Sequence, residues 1–280
     1  MATIALMGPP GSGKTTMAVK TAVRRPVHLI DIDRKFRAQA NLRDLRDVTV
    51  WELRETLSED SLASRIKALA ASEKGVRPPK GYTTIANYIE GLEKDSDAQA
   101  AGTIVFDSTT QFQLHMREHM QFLEGKTKLT WDSWAAWGQL WREFTVIMID
   151  YAIAQDKDLI FIFHERVSEV PGDKTDKVVL SRGEKGSLQR DYVGTMNVKI
   201  AGAIEGAFGL QFGTFFTDVY ALYVEIINGV PQWRCRVLPD GKRDLRCSFD
   251  VSNHAIWTPD LSQIWGKKIR YAPWESTKEK

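Results

Sequence analysis

One octapeptide near the start of the chain constrains the fold more than any other feature. Residues 8–15 read GPPGSGKT, and they lie between an apolar run, residues 3–7, and a predicted helix, residues 15–23. Glycines in such a turn let backbone N–H groups point inward, and the helix N-terminus adds partial positive charge. Both properties suit a phosphate group. The sequence therefore predicts a strand–loop–helix unit, and we call residues 8–15 the phosphate loop.

The residues of the phosphate loop predict how a nucleoside triphosphate is held. We expect the Lys14 ammonium to bridge the β- and γ-phosphates and the Thr15 hydroxyl to ligate Mg²⁺. Thr16 is placed to contact the α-phosphate. ATP and Mg²⁺ are therefore the expected ligands. The predicted nucleotide-binding residues are Gly8, Pro9, Pro10, Gly11, Ser12, Gly13, Lys14, Thr15 and Thr16.

Three later apolar runs each end in polar residues that are candidates for the same site. The run TIVF is followed by Asp107, whose carboxylate is expected to join Thr15 at the magnesium site by holding a Mg²⁺-bound water. The run VHLI leads to Asp31 and Asp33, and a carboxylate there would orient an attacking water. The run LIFIF is followed by His164, which would contact the γ-phosphate. The simpler alternatives are a helix cap for Asp107, a surface loop for Asp33 and a hydrogen-bonded strand end for His164.

Apolar strands alternate with helical segments along the first two thirds of the chain. This pattern predicts an α/β fold with a mostly parallel sheet and helices on both faces. The last third turns towards antiparallel strands, with residues 232–237 and 245–251 expected to form a hairpin around PDGK. Residues 73–84 and 169–196 are predicted to be loops. The predicted helices after the phosphate loop cover residues 61–72, 85–95, 111–123 and 131–155.

We expect two structural units within this architecture. The first is a nucleotide-binding core, residues 1–228, which includes a polar flap at residues 165–199. The second, residues 229–280, is a β-hairpin and a tail that pack on the core. In the core, Trp131, Trp134, Trp137 and Trp141 form an aromatic stripe on one helix, expected to face the core or, alternatively, a subunit interface.

Composition limits the classes of partner and compartment. The net charge is only +2, from 38 basic and 36 acidic residues, so a nucleic-acid site would have to be a local patch. Two cysteines do not make a disulfide framework, although Cys235 and Cys247 could face each other across the predicted hairpin. We see no signal peptide and no apolar run of membrane-spanning length. The sequence predicts a cytoplasmic protein with no membrane partner.

Four motifs taken together resemble a known family. GPPGSGKTT, HLIDID, TIVFDSTT and LIFIFHE follow one another in the order of the RecA-like ATPase core, over residues 1–225. The closest likeness is to short bacteriophage RecA-like proteins of the recombinase or single-strand annealing type, often labelled phage nucleotide-binding protein. The resemblance implies that Asp33 takes the place of the catalytic glutamate and His164 that of the γ-phosphate sensor. Asp33 is one methylene shorter than glutamate, which implies slow hydrolysis or another base.

The resemblance also implies partners. RecA-like cores act as homo-oligomers, in rings or filaments, where a basic residue of the neighbouring subunit completes the site. Arg246 is the expected arginine finger, with Lys242 and Arg243 as alternatives. Residues 165–199 occupy the position of the family's DNA-binding loop, but they contain seven basic and six acidic residues, so no strong basic patch is evident. Tyr192 would stack on a base.

The function implied is ATP-dependent binding and pairing of single-stranded DNA in phage recombination, together with a phage or host single-strand-binding protein. Two alternatives stay open. One is a nucleotide-switched scaffold or motor in phage DNA replication or packaging. The other is a small-molecule P-loop kinase, because GPPGSGKTT also occurs in kinases.

Overall fold

A computed structural model of the chain describes most of its residues. The described residues are 1–39, 42, 45–53, 80–126, 128–171, 177–182, 188–193, 196–202, 212–239, 243–248 and 256–266, with the backbone alone between 166 and 212. The predicted helix at residues 61–72 and Lys242 lie outside this set. Within it, no helix is long and apolar enough to cross a membrane.

Strands and helices alternate in the first part of the chain, and strands dominate the second. The strands are β1 (Thr3–Gly8), β2 (Val27–Asp31), β3 (Val48–Glu52), β4 (Thr103–Asp107), β5 (Asp158–Pro171), β6 (Lys177–Arg182), β7 (Leu188–Val193), β8 (Met196–Gly202), β9 (Asp218–Ile227), β10 (Val230–Arg236) and β11 (Ile256–Trp257). The α-helices are α1 (Lys14–Lys20), α2 (Lys80–Glu90), α3 (Ser96–Ala100), α4 (Thr109–Glu124), α5 (Trp131–Ala154) and α6 (Leu261–Gly266).

The main sheet has the strand order β11-β10-β9-β1-β5-β4-β2-β3. All neighbours from β9 to β3 are parallel, whereas β10 and β11 add antiparallel pairs at one edge. The expected α/β fold, with a mostly parallel sheet and antiparallel strands towards the C-terminus, is confirmed. Because parallel strands end at the same edge, Gly8 lies beside His164 and Asp31 beside Asp107.

Each face of the sheet has its own apolar layer, and the alternation of side chains along β1 shows why. Ile4 and Leu6 pack with α1 and α6 on one face, whereas Ala5 and Met7 pack with α4 and α5 on the other. The aromatic stripe of α5 is part of this second layer. Trp137 and Trp141 are almost fully buried, as expected of core residues, but Trp131 at the start of the helix is 90% exposed.

The described parts of the predicted flap at residues 165–199 are strands. β5 continues past the sheet edge to Pro171, where residues 165–171 pair in antiparallel register with β8, and β6 pairs with β7. We call residues 165–202 the arm. The scattered charges, glycines and proline of the arm favour a loop. The β-branched runs between them favour strands once a partner strand supplies hydrogen bonds.

The C-terminal hairpin also differs from the prediction. β10 pairs with β9 through a turn at Asn228 and Gly229, whose φ angles are 52° and 77°. Asn-Gly is a strong signal for a two-residue hairpin turn, and it outweighs PDGK. The two cysteines are not cross-strand partners in a hairpin, because Cys235 pairs with Leu222 and Trp257 in the sheet.

Two helix boundaries were misplaced. α2 begins at Lys80, inside the predicted loop at residues 73–84, and α1 ends at Lys20 instead of continuing to residue 23. At the end of α1, the Thr21 hydroxyl donates a hydrogen bond to the carbonyl oxygen of Met17 at 2.7 Å. This side-chain hydrogen bond gives a carbonyl group of the last turn a partner, and no further helical residue is needed to supply one.

Candidate active site

The phosphate loop connects β1 to α1 in a conformation that requires glycine. A Cβ atom on Gly8 would lie 2.2 Å from the carbonyl oxygen of Leu222 and 2.7 Å from the Ser12 hydroxyl, so no side chain fits there. Gly13, directly before α1, has φ 86°, in the left-handed region that favours glycine. The loop thus brings backbone groups close together at the helix N-terminus, as a phosphate cradle requires.

The Lys14 ammonium is held over the loop. It donates hydrogen bonds to the carbonyl oxygens of Gly8 and Pro9, each at 2.8 Å, and to the Ser12 hydroxyl at 3.3 Å. Burial lowers the pKa of Lys14 to about 8, and the nearby carboxylates, above all Asp107, act in the opposite direction. At neutral pH the group is therefore mostly charged and is placed to neutralise phosphate oxygens.

Two oxygen ligands suitable for Mg²⁺ meet beside the loop. The Thr15 hydroxyl donates to a carboxylate oxygen of Asp107 at 2.5 Å. Burial raises the pKa of Asp107 to about 7; the hydrogen bond from Thr15 opposes this shift, whereas the charges of Asp33 and Asp31 add to it. A dication here would stabilise the charged carboxylate.

These residues fit the way proteins bind Mg²⁺ with a nucleotide. Within the described ranges, no group of three or more His, Cys, Asp or Glu residues could hold a metal by itself. Mg²⁺ is commonly bound through one or two protein oxygens, with substrate phosphates and waters completing its octahedron. Thr15 and Asp107 supply that number of ligands.

Of the two candidate bases, Asp33 is the one directed at the cavity. It accepts hydrogen bonds from the Ser108 hydroxyl at 3.1 Å and from the Lys35 ammonium at 3.0 Å. Asp31 instead accepts from the backbone N–H groups of Phe36 and Lys35, and so closes the turn after β2. The structure thus separates a structural carboxylate from one available for chemistry.

His164 lies where β5 leaves the sheet, next to the start of the phosphate loop. Its backbone N–H donates to the Thr110 hydroxyl at 3.0 Å, which fixes the strand end. Burial lowers the pKa of the imidazole, and the positive charges of Lys14 and Lys35 lower it further, although Asp33 opposes them. The ring is therefore neutral at pH 7. Its buried Nδ1 has no hydrogen-bond partner among the described residues.

Six of the predicted side chains border one cavity of about 710 Å³, whereas the buried Asp31 does not. The cavity contains the predicted Lys14, Thr15, Thr16, Asp33, Asp107 and His164. Sequence reasoning missed the other polar and aromatic residues that line it. Lys35 could have been predicted from the sequence, since it lies two residues from Asp33. No local sequence signal marks the other lining residues, Lys20, Thr21, Gln39, Trp233 and Pro259.

The candidate arginine fingers do not border this cavity. Arg246 is exposed, and its backbone forms an isolated bridge with Val219 in the middle of the sheet. Arg243 binds Glu165 of the same chain at 2.9 Å, with both side chains largely buried. The alternative role of Arg243 as a finger towards a neighbour is therefore not supported, because its guanidinium is engaged within the chain.

Comparison with known proteins gives a family and shows a weak likeness to a solved structure. A family model described as an AAA domain (AAA_24) matches residues 1–214. Among solved structures, a KaiC-like protein from the hyperthermophilic archaeon Pyrococcus horikoshii OT3 is similar at 12% identity. That alignment covers 91% of this chain and 88% of the other, but its TM-score of 0.37 is too low to carry an argument. None of the curated proteins matches the chain.

Proposed function

We propose a function for this chain, which belongs to the AAA domain family. The protein is a Mg²⁺-dependent ATPase that binds single-stranded DNA and promotes strand pairing in phage recombination. The ATPase part is supported by the convergence of loop, carboxylates and histidine on one cavity. The DNA part is supported by the arm, which continues from the strand that carries His164.

Several polar groups that line the cavity have a role in hydrolysis. Lys14 binds the terminal phosphates, while Asp33, steadied by Ser108, orients and deprotonates the attacking water. The neutral His164 ring lies beside the loop, where it senses the γ-phosphate. Mg²⁺, which Thr15 and Asp107 would hold, would neutralise charge on the phosphate oxygens.

A single observation carries the link between ATP and DNA. β5 is continuous from Asp158 to Pro171, so His164 in the cavity and the first strand of the arm belong to one element. Residues 165–171 pair with β8 along their whole length. A displacement of His164 when the γ-phosphate is bound or lost would therefore move the root of the arm.

The test is the affinity for fluorescently labelled oligo-dT, measured by anisotropy at low salt with ATP, with ADP and without nucleotide. We expect tighter binding with ATP and a steep decrease in affinity with added salt. A variant that lacks residues 177–193 should lose DNA binding but keep ATP binding. DNA affinity that is the same in all three nucleotide conditions would overturn the proposal.

We also propose that the protein acts as a homo-oligomer, with Arg246 completing the site of a neighbouring subunit. Arg246 is exposed and lies outside the cavity of its own chain, as a residue acting in trans must. Specific ATPase activity that rises with protein concentration in the wild type, but stays low in Arg246→Ala, would support this. Activity per subunit that does not change on dilution, and that the substitution leaves intact, would contradict it.

A second candidate function is a nucleotide-switched scaffold with little turnover. It is favoured by the ion pair between Asp33 and Lys35, whose nitrogen and oxygen lie 3.0 Å apart. Lys35 and Ser108 thus engage both carboxylate oxygens of Asp33, which an attacking water would otherwise use. Tight ATP binding without phosphate release, measured on the oligomer with DNA present, would favour the scaffold over the ATPase.

A further inference from the structure

Trp233 lies against the phosphate loop although it belongs to a distant part of the sequence. Its indole N–H donates to the carbonyl oxygen of Gly11 at 3.3 Å. Its Cδ1 atom lies 3.3 Å from the position that a Cβ of Gly13 would take. Both contacts use the five-membered edge of the ring. Because 49% of the residue remains exposed, a ring face stays available to a ligand in the cavity.

The position of Trp233 is fixed by the sheet. It pairs with Val224 in the antiparallel ladder of β9 and β10, and β9 in turn pairs with β1, which leads into the phosphate loop. The ring is therefore held on a rigid element at one edge of the cavity. A rigid aromatic side chain makes contact at low entropic cost, because little motion is lost when a ligand binds.

The other wall of this part of the cavity is anchored to the end of α1. Thr21 accepts a hydrogen bond from the backbone N–H of Leu261 at 2.8 Å, which places the neighbouring Pro259 at the cavity. Lys20 and Thr21 lie about 9–10 Å along α1 from Lys14, so this end is remote from the ammonium that binds phosphate. Beyond the Lys14 ammonium, the cavity is thus lined by Trp233 and Pro259, together with the polar Lys20 and Thr21.

We propose that Trp233 is the nucleobase platform of this site, on which the base of the bound nucleotide stacks. The assignment rests on the proposed nucleotide-binding function and adds the residue that contacts the base. Stacking of a base on an aromatic ring raises the affinity for the ligand about tenfold. Since stacking grows with ring area, the site prefers purine over pyrimidine triphosphates.

The test compares ligands that share the phosphates but differ in the base. Titration calorimetry would measure binding of Mg·ATP, Mg·CTP and Mg·tripolyphosphate to the wild type, Trp233→Leu and Trp233→Phe. Leucine keeps an apolar side chain against the loop but removes the ring. We expect Trp233→Leu to weaken ATP about tenfold and to leave tripolyphosphate unchanged, whereas Trp233→Phe stays near the wild type. Trp131→Ala, at a tryptophan that is 90% exposed on α5, should change nothing.

Each other outcome counts against the platform. An equal loss of ATP and tripolyphosphate affinity in Trp233→Leu would show that the indole only supports the loop through Gly11. Unchanged ATP affinity, or CTP binding as tight as ATP binding in the wild type, would show that no base stacks on it. A wild type that binds neither ATP nor tripolyphosphate would overturn the nucleotide site itself, which is a distinguishable failure.

Discussion

The Thr15 hydroxyl and the Asp107 carboxylate, 92 residues apart in the chain, are hydrogen-bonded at 2.5 Å. This contact joins the first residues of α1 to the end of β4, two strands away from β1 in the sheet. It places two oxygen ligands beside the phosphate loop, and it is the basis of the first prediction.

Asp107→Asn should strongly reduce Mg²⁺-dependent ATP hydrolysis without unfolding the protein. We expect a loss of roughly 100-fold in kcat, about 3 kcal/mol of transition-state stabilisation, because an amide is a poor ligand for Mg²⁺. Thermal stability should stay the same or rise, since burial disfavours the charged form of Asp107. Asp132→Asn, at an exposed site on α5, is the matched control. Full activity in Asp107→Asn would remove this residue from the magnesium site.

Asp33 is the predicted base, and its side chain is one methylene shorter than that of glutamate. The role can therefore be tested both by removing the carboxylate and by lengthening the side chain. Asp33→Ala should lower kcat about 100-fold with little change in KM, as expected when a base acts in the chemical step. Asp33→Glu, which restores the missing methylene, should retain or increase turnover. The measurement is steady-state phosphate release. If Asp33→Ala turns over as fast as the wild type, another group is the base.

Gly8 makes a prediction about stability. Gly8→Ala would place a Cβ 2.2 Å from the backbone carbonyl of Leu222, which cannot move aside as a flexible side chain could. We expect a loss of about 1–3 kcal/mol in the free energy of unfolding. Gly138→Ala is the control, because nothing lies within 4 Å of its added Cβ and alanine favours the helix. It should be neutral or slightly stabilising, as measured by urea denaturation. Equal effects would contradict the close approach at Gly8.

His28 predicts how stability depends on pH. Both ring nitrogens are engaged, with the Thr49 hydroxyl at 2.8 Å and the Tyr88 hydroxyl at 2.6 Å, and burial lowers the pKa of the ring. Above pH 6.5 both folded and unfolded forms are neutral; below it, only the unfolded chain takes up a proton easily. The folded state therefore loses up to about 1.4 kcal/mol per pH unit in this acid range. The charged groups that act on the ring are Asp95, Asp97 and Lys157.

The measurement is urea denaturation of the wild type and His28→Gln at pH 7.5 and 5.5. We expect the wild type to lose more stability than the variant between these values, because glutamine does not titrate. Other histidines affect both proteins equally, so the difference isolates His28. Parallel losses in the two proteins would show that His28 does not control the acid limit of stability.

Much of the site was predictable because it depends on a simple rule. A parallel sheet brings the ends of its strands to one edge, so the polar residues after apolar runs, Asp33, Asp107 and His164, were expected to meet at the phosphate loop. The structure places all three on one cavity. The sequence could not decide between Asp31 and Asp33, because that choice depends on which carboxylate closes the local turn.

The features that were missed depend on contacts between distant parts of the chain. Trp233 reaches Gly11 across 222 residues, through an antiparallel strand whose place in the sheet no local pattern reveals. The local sequence of the arm predicts a loop, because the formation of a β-strand depends on its partner strands more than the formation of a helix depends on its neighbours. The true hairpin turn at Asn228 and Gly229 was within reach of sequence reasoning, since the dipeptide itself is diagnostic.

We propose that β5 links the γ-phosphate to the arm through His164. The most direct test is the affinity for oligo-dT of the wild type and His164→Ala, both saturated with Mg·ATP, with ATP binding measured on the same samples. We predict that the variant binds ATP as the wild type does but shows only the weak DNA binding of the nucleotide-free protein. Retention in His164→Ala of the full ATP-dependent gain in DNA affinity would contradict the account.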